Sequence, residues 1–222
     1  YYNDMPDIVN RYMEKINTLA FTDYKPFNYY GKKDASDIII AMGSVCSTIR
    51  TVVDILNKKG YRVGMIEVHL YRPFSTKYLL NVLPKSVERI AVLDRTKEPG
   101  STGEPLYLDI MEALKKKNIS IYGGRYGLSS KDVPLKDINA VFENLFSDNP
   151  KNNFTIGIND DVTHLSLEPK EIEVQRDYKE IKVYGFGSDG MVGASKNFIK
   201  VLGEIKDNYV QGYFEYDSKK SG

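Results

Sequence analysis

The run "DIIIAMG", residues 37–43, most narrows what this chain can fold into. Consecutive apolar residues without polar alternation suit a strand buried on both faces, the habit of parallel sheets. Helical spacing follows at once. Ile49, Val52, Val53 and Leu56 fall at i, i+3, i+4 and i+7, and Gly60 stands where a helix C-cap belongs. The alternation then repeats. "YRVGMIEVHL" reads as a strand, and Ser75 is placed to cap a short helix carrying Tyr78, Leu79 and Val82. "VERIAVLD" is the next strand, followed by a helix marked by Tyr107, Ile110, Met111 and Leu114. "ISIYGG" is a fourth strand. Pro134 opens a helix with Leu135, Ile138, Val141, Phe142 and Leu145 on one face, and "FTIGI" is a fifth strand. Strands separated by single helices predict an α/β fold, a parallel sheet with helices on both faces.

Two flanking regions differ. Residues 6–20 carry Ile8, Val9, Tyr12, Met13, Ile16 and Leu19 at helical spacing behind Pro6, and "DYKPFNYYG" reads as an extended arm. Residues 1–31 are therefore expected to close a preceding domain. Between Glu168 and Glu180, eight of thirteen residues are charged, which suits a solvated connector over residues 166–180. Beyond it "IKVYGFG" predicts a strand, "MVGASKNFIKVLGEI" a helix and "NYVQGYFEYDS" a second strand. Residues 181–222 thus read as the start of a second α/β domain. The opening on Tyr1 and the break at "YDSKKSG" read as an excised piece of something larger.

The strongest chemical motif lies in that second part. Gly185, Gly187 and Gly190 match G-x-G-x-x-G between a predicted strand and a predicted helix. Glycines let backbone amides close on phosphate at a positive helix end. The same spacing also serves a tight turn with no ligand. Glu215 and Asp217 lie where an acid would meet the ribose of a dinucleotide, which keeps a nicotinamide reading open. Asp189 puts negative charge beside the phosphate, whereas Lys219 and Lys220 suit an extra phosphate, as on NADP or the ADP part of coenzyme A. "SDG" does not extend to a thiamine diphosphate motif, because the downstream asparagine has no clear counterpart. The absence of CxxC leaves no cluster ligands.

Other groups point away from chemistry. Cys46 falls near a helix start, where thiolates are favoured, yet free cysteine usually packs as a small hydrophobe. His69 and His164 have no ligand-spaced partner, and Asp160 and Asp161 would face opposite ways in a strand. "DRTKEPGSTGEP", residues 94–105, leaves a strand at its carboxyl end but holds no base–nucleophile pairing, so it reads as a contact loop. A net charge of +1, from 31 basic and 30 acidic side chains, gives no footprint for nucleic acid. No apolar run is long enough to span a bilayer, and one cysteine excludes an internal disulfide framework and suits a cytoplasmic setting.

The longer stretches "LYRPF", "LDRTKEPG", "GEPLYLDI", "GGRYGLSSKD", "FTIGINDDVTHLSL", "GSDGMVGASKNFIK" and "YFEYDSKKSG" resemble, in this order, the central portion of the pyruvate:ferredoxin (flavodoxin) oxidoreductases. The resemblance implies a transketolase C-terminal-like domain over residues 32–165 and, from about residue 181, the start of the domain associated with coenzyme A. It implies oxidative decarboxylation of pyruvate to acetyl-coenzyme A by a homodimeric parent, with electrons passed to ferredoxin or flavodoxin. Thiamine diphosphate, magnesium and iron–sulfur clusters would be held by segments of the parent absent here. This piece would contribute an assembly domain and a partial coenzyme A site at Gly185, Gly187, Ser188, Gly190, Lys196, Lys219 and Lys220, with no catalytic residue and no activity alone. The family loop usually has Thr in place of Met191 and Asn in place of Ser195. The other readings are a non-catalytic protein-binding module and a fragment of an NAD(P)-dependent dehydrogenase.

Overall fold

The computed structural model describes residues 1–128, 131–159, 162–174 and 178–215. Its contacts divide the chain into two units, Tyr1–Val174 and Gln175–Gly222.

The first unit is built on a six-stranded sheet in the order β1-β3-β2-β4-β5-β6. β2 (Asp37–Ala41) is buried at every position and lies between β3 (Val63–Val68) and β4 (Arg89–Asp94), parallel to both. β5 (Ser120–Arg125) and β6 (Phe154–Thr155) extend the parallel run. Alternation along each strand sorts the core into two layers. Ile39, Met65, Ala91 and Leu93 meet α2 (Val45–Lys58) and α5 (Leu135–Phe146) on one face. Ile38, Ile40, Ile66, Ile90 and Val92 meet α3 (Thr76–Val82) and α4 (Pro105–Leu114) on the other. Each fully buried Ile, Leu or Phe contributes about 1.5–3 kcal/mol, so two complete layers suffice to hold the unit.

Three elements depart from the sequence expectation. Phe27–Gly31, read as part of an arm, is β1, which pairs antiparallel with β3 and makes the sheet mixed. An edge strand needs only one partner and one covered face, so its sequence is polar enough to look like a connector. "FTIGI" supplies only the two-residue β6, because Gly157 takes φ +72° and ends the extension. The solvated connector expected over residues 166–180 has its first part, through Ile172, held along this unit. Leu167 donates its amide to Thr155 (2.9 Å) and Lys170 to Lys136 (3.0 Å), while Leu167 and Ile172 pack on the core.

α1 (Met5–Ala20) forms as its spacing predicts, with Pro6 in the first turn. It is tied to α3 through Asp7, whose carboxylate accepts from Lys77 Nζ (2.9 Å) and Tyr78 OH (2.7 Å). Its apolar stripe is incompletely covered: Tyr12, Ile16 and Leu19 remain exposed.

In the second unit α6 (Met191–Gly203) is present, but the described parts of "IKVYGFG" and "NYVQGYFEYDS" form no strand. An extended segment becomes a strand only through a ladder of hydrogen bonds to a neighbouring strand, and neither segment forms such a ladder among the described residues. No described residue of this unit is buried. No helix among the described residues is long and apolar enough to cross a membrane.

Candidate functional site

Two places follow from the fold, and each unit holds one. In a parallel sheet whose order reverses at β2, ligands sit outside the carboxyl ends of the strands flanking the reversal, here β2 and β4. That crevice is filled by the chain's own side chains. Tyr126, which follows β5, is 5% exposed and donates its OH to the Met42 carbonyl beyond β2 (3.3 Å), so it reaches past the end of β4. Asp94 ends β4 and accepts from the amides of Leu106 and Tyr107 (3.0 Å each), satisfying two orphan donors of α4. Burial pushes the Asp94 carboxyl above its ordinary range, against the pull of those two amides. Glu104, at the N-cap of α4, is 2% exposed and accepts from Arg125 Nε at 2.6 Å. Its other carboxylate oxygen, Oε2, has no partner.

Residues 94–105 are therefore a loop with latched ends, and its exposed middle carries Arg95, Lys97 and Glu98. The sequence marked the loop but not the latch. Arg125 and Glu104 are 21 residues apart, and no spacing rule joins them.

Cys46 lies at the start of α2, yet it is buried, and burial first and then Glu67 push its thiol up to about 12. A thiol held protonated is neither nucleophile nor metal ligand. We expect Ellman's reagent to leave Cys46 untouched in the native protein and to label it fully in denaturant. Rapid native labelling would show that the α2 start opens. His69 lies 3.8 Å from Glu67 and edge-on to Tyr24, and the His164 carbonyl accepts from Lys151 Nζ. Both histidines have structural surroundings. Among the described residues no group of three or more His, Cys, Asp or Glu is arranged to hold a metal ion. Asp160 and Asp161 lie outside the described residues. An open concavity of about 510 Å³ is lined by Tyr2, Arg72, Pro73, Phe74 and Asp109, but its charges are already paired, Arg72 to Asp109 at 2.7 Å.

The second place is the glycine loop. Gly185, Gly187, Ser188 and Gly190 form an exposed turn leading into α6, with Gly190 at its N-cap. Gly187 and Gly190 both take φ +79°, and Ser188 takes φ 50°. Asp189 organises the turn. Its Oδ2 accepts from the Phe186 amide (2.7 Å) and its Oδ1 from the Met191 amide (3.0 Å), which hold the carboxyl below its ordinary range, Met191 foremost. A Cβ at Gly185 would lie 3.1 Å from Asp189 Oδ1. Each motif glycine thus has a reason within the loop itself. Three amides remain unengaged among the described residues, those of Gly187, Ser188 and Gly190. Lys196, farther along α6, lies over the Phe214 ring at 5.6 Å. Lys219 and Lys220 lie outside the described residues, as does Asp217.

The chain as a whole is similar to known proteins. The sequence profile of the pyruvate:ferredoxin oxidoreductase core domain II matches residues 35–138. The pyruvate:ferredoxin oxidoreductase of Moorella thermoacetica is 53% identical over 100% of this chain and 19% of its own length. The pyruvate-flavodoxin oxidoreductase of Enterobacter agglomerans is 50% identical over the same shares. Over its whole length this segment is similar to these pyruvate:ferredoxin and pyruvate-flavodoxin oxidoreductases. It spans about a fifth of the length of these relatives, 19%. A solved 2-oxoglutarate:ferredoxin oxidoreductase from Magnetococcus marinus covers 60% of this chain and 22% of its own at 17% identity, with a TM-score of 0.39. The latched loop at residues 94–105 and the Asp189 turn are two of the places where folding fixes polar groups, and the buried Asp37–Arg89 pair is another.

Proposed function

We propose that this segment works inside a 2-oxoacid oxidoreductase that oxidatively decarboxylates pyruvate to acetyl-coenzyme A and passes electrons to ferredoxin or flavodoxin. The observation that supports it is the match of the whole chain, at about half identity, to relatives named for pyruvate and flavodoxin or ferredoxin. Residues 32–165 act as an assembly domain, because the switch-point crevice is filled by Tyr126 and flanked by the Asp94 and Glu104 contacts rather than left open. Residues 181–222 begin the next domain. Thiamine diphosphate, magnesium and iron–sulfur clusters belong to other segments of a cytoplasmic, homodimeric parent.

Coenzyme A meets this segment at the glycine loop in the same reading. The fit is partial. The amides of Gly187, Ser188 and Gly190 are available to a phosphate, those of Phe186 and Met191 are engaged by Asp189, and Lys196, which lies over the Phe214 ring, is the cation of α6 in the proposed set. Gly185 leaves room for Asp189, and Lys219 and Lys220 complete the proposed set.

In the full-length enzyme we expect Gly187→Val to lower the affinity for coenzyme A at least tenfold, since a β-branched residue at positive φ both strains the turn and blocks close approach. The isolated 222-residue chain should not reduce viologen with pyruvate, thiamine diphosphate and coenzyme A supplied. Turnover by the isolated chain would overturn the assembly role. An unchanged coenzyme A affinity in Gly187→Val would move that site elsewhere, and loss of NADPH binding instead would favour a dehydrogenase.

A further inference from the structure

The amino end of the parallel sheet carries a concentration of positive charge that a net charge of +1 conceals. The stretches 32–36, 58–62, 83–88 and 115–119 lead into β2, β3, β4 and β5, which are neighbours in the order β3-β2-β4-β5 and start level with one another. Backbone bonds lock these stretches side by side. The Ser36 amide donates to the Arg62 carbonyl (3.0 Å), the Glu88 amide to that of Ser36 (2.8 Å) and the Ser120 amide to that of Glu88 (2.9 Å). Together they hold nine lysines and arginines against two acids, Asp34 and Glu88, so the remainder of the chain is net negative.

We propose that this end of the sheet docks a separate protein that presents a carboxylate-rich face. Lys33, Lys59, Arg62, Lys85, Lys116 and Lys117 are exposed, and none makes an ion pair or side-chain hydrogen bond with a described residue. The neighbouring acids Asp37 and Glu112 are already taken by Arg89 and Lys115. Helix ends explain part of the charge, since Lys58 lies in the last turn of α2 and Lys115 caps α4, where cations answer the helix dipole. Lys33, Arg62, Lys85 and Lys117 lie outside any helix and have no such reason. Strand spacing sets the four stretches across about 15 Å, so adjacent charges fall within a Debye length and act on a partner together. Eight of the nine cations are lysines, which attract carboxylates as point charges, whereas sites that grip phosphate favour the arginine fork. Burying so many unpaired ammonium groups permanently is costly, and lysine is depleted in lasting interfaces. A solvated contact that steers a partner in and lets it go suits them. The surface faces away from the loop at residues 94–105, which leaves the carboxyl end of β4, and it does not depend on the coenzyme A reading.

The test measures binding of poly-L-glutamate to the 222-residue chain and to the longer protein proposed above, over a range of salt. Both should bind it, more weakly as salt rises. Changing Lys85, Lys116 and Lys117 together to Glu should lower the affinity on the order of tenfold or more. The same change at Lys25, Lys97 and Lys131, all at the carboxyl end, should lower it less than about threefold. Gln at the first three positions should give the same order with a smaller loss, and unchanged urea midpoints check that the variants fold. Equal losses at the two ends would mean that only net charge is read and would overturn the proposal, as would no binding at low salt. Tighter binding of a DNA duplex than of poly-L-glutamate would replace the acidic protein with nucleic acid. Binding by the 222-residue chain that vanishes in the longer protein would show that further chain covers this surface, and no separate protein docks there.

Discussion

Arg125→Ala is expected to destabilise the Tyr1–Val174 unit by about 3–5 kcal/mol, the range for removing one partner of a buried ion pair. The reason lies in what stays behind. Glu104 has a side chain only 2% exposed, and its single ion-pair contact is Arg125 Nε at 2.6 Å. Its second oxygen is already without a partner. Truncating Arg125 leaves a carboxylate with no counter-charge and no route to water, beside the buried Asp94. Arg125 also reaches the Asn153 carbonyl, so the loss loosens the junction of β5 and β6. Urea unfolding followed by a probe inside the unit measures the effect. Arg125→Lys should recover only part of it, because an ammonium cannot reproduce the guanidinium fork. Replacing both partners, Arg125→Met with Glu104→Leu, should recover most of it, since a buried pair exchanged for apolar groups is often neutral. A loss below about 1 kcal/mol for Arg125→Ala would mean that water reaches Glu104 and that the loop is not latched there.

How far the sequence disclosed this arrangement depends on the range of the interaction. β2, α2 and β4 were legible because burial on both faces writes an apolar run, and burial on one face writes a period near four. The edge strand β1 was not, since pairing on one side leaves its tyrosines and asparagine free to look like an arm. Asp189 was half legible. An aspartate inside a glycine turn suggests bonds to nearby amides, and both bonds fall within three residues of it. The Arg125–Glu104 latch and the Tyr126–Met42 contact join residues 21 and 84 apart, and only the folded sheet brings them together. The charged stretch after Glu168 is exposed at residues 168–171, yet its start is held by the first unit. A few apolar residues, Leu167 and Ile172, suffice to hold a mostly polar segment against a core.

In the isolated chain, the second unit should exchange its amide hydrogens almost as fast as an unfolded segment. A helix of 13 residues is marginal in water on its own and gains stability from burying one face. α6 buries none. Phe198 and Val201 of α6 are 46% and 58% exposed, Ile205 just beyond it is 53% exposed, and the segments on either side form no strand among the described residues. Its internal contacts are few: Asp189 caps the first turn, and Ile199 approaches Gly212 closely enough to leave no room for a Cβ there. Opening such a unit costs on the order of 0–1 kcal/mol, against at least roughly 5 kcal/mol for core strands of the first unit. Protection factors should therefore stay within about tenfold of unity in α6 and exceed about a thousandfold in β4. Trypsin should cut at Lys179, Lys182, Lys196, Lys200 or Lys206 before it cuts at Lys170, whose amide and carbonyl are both held by α5. Protection of α6 equal to that of β4, or a first cut at Lys170, would show that the second unit holds itself together without further chain. In the longer protein proposed above the same lysines should resist trypsin, because further chain would cover the exposed apolar faces.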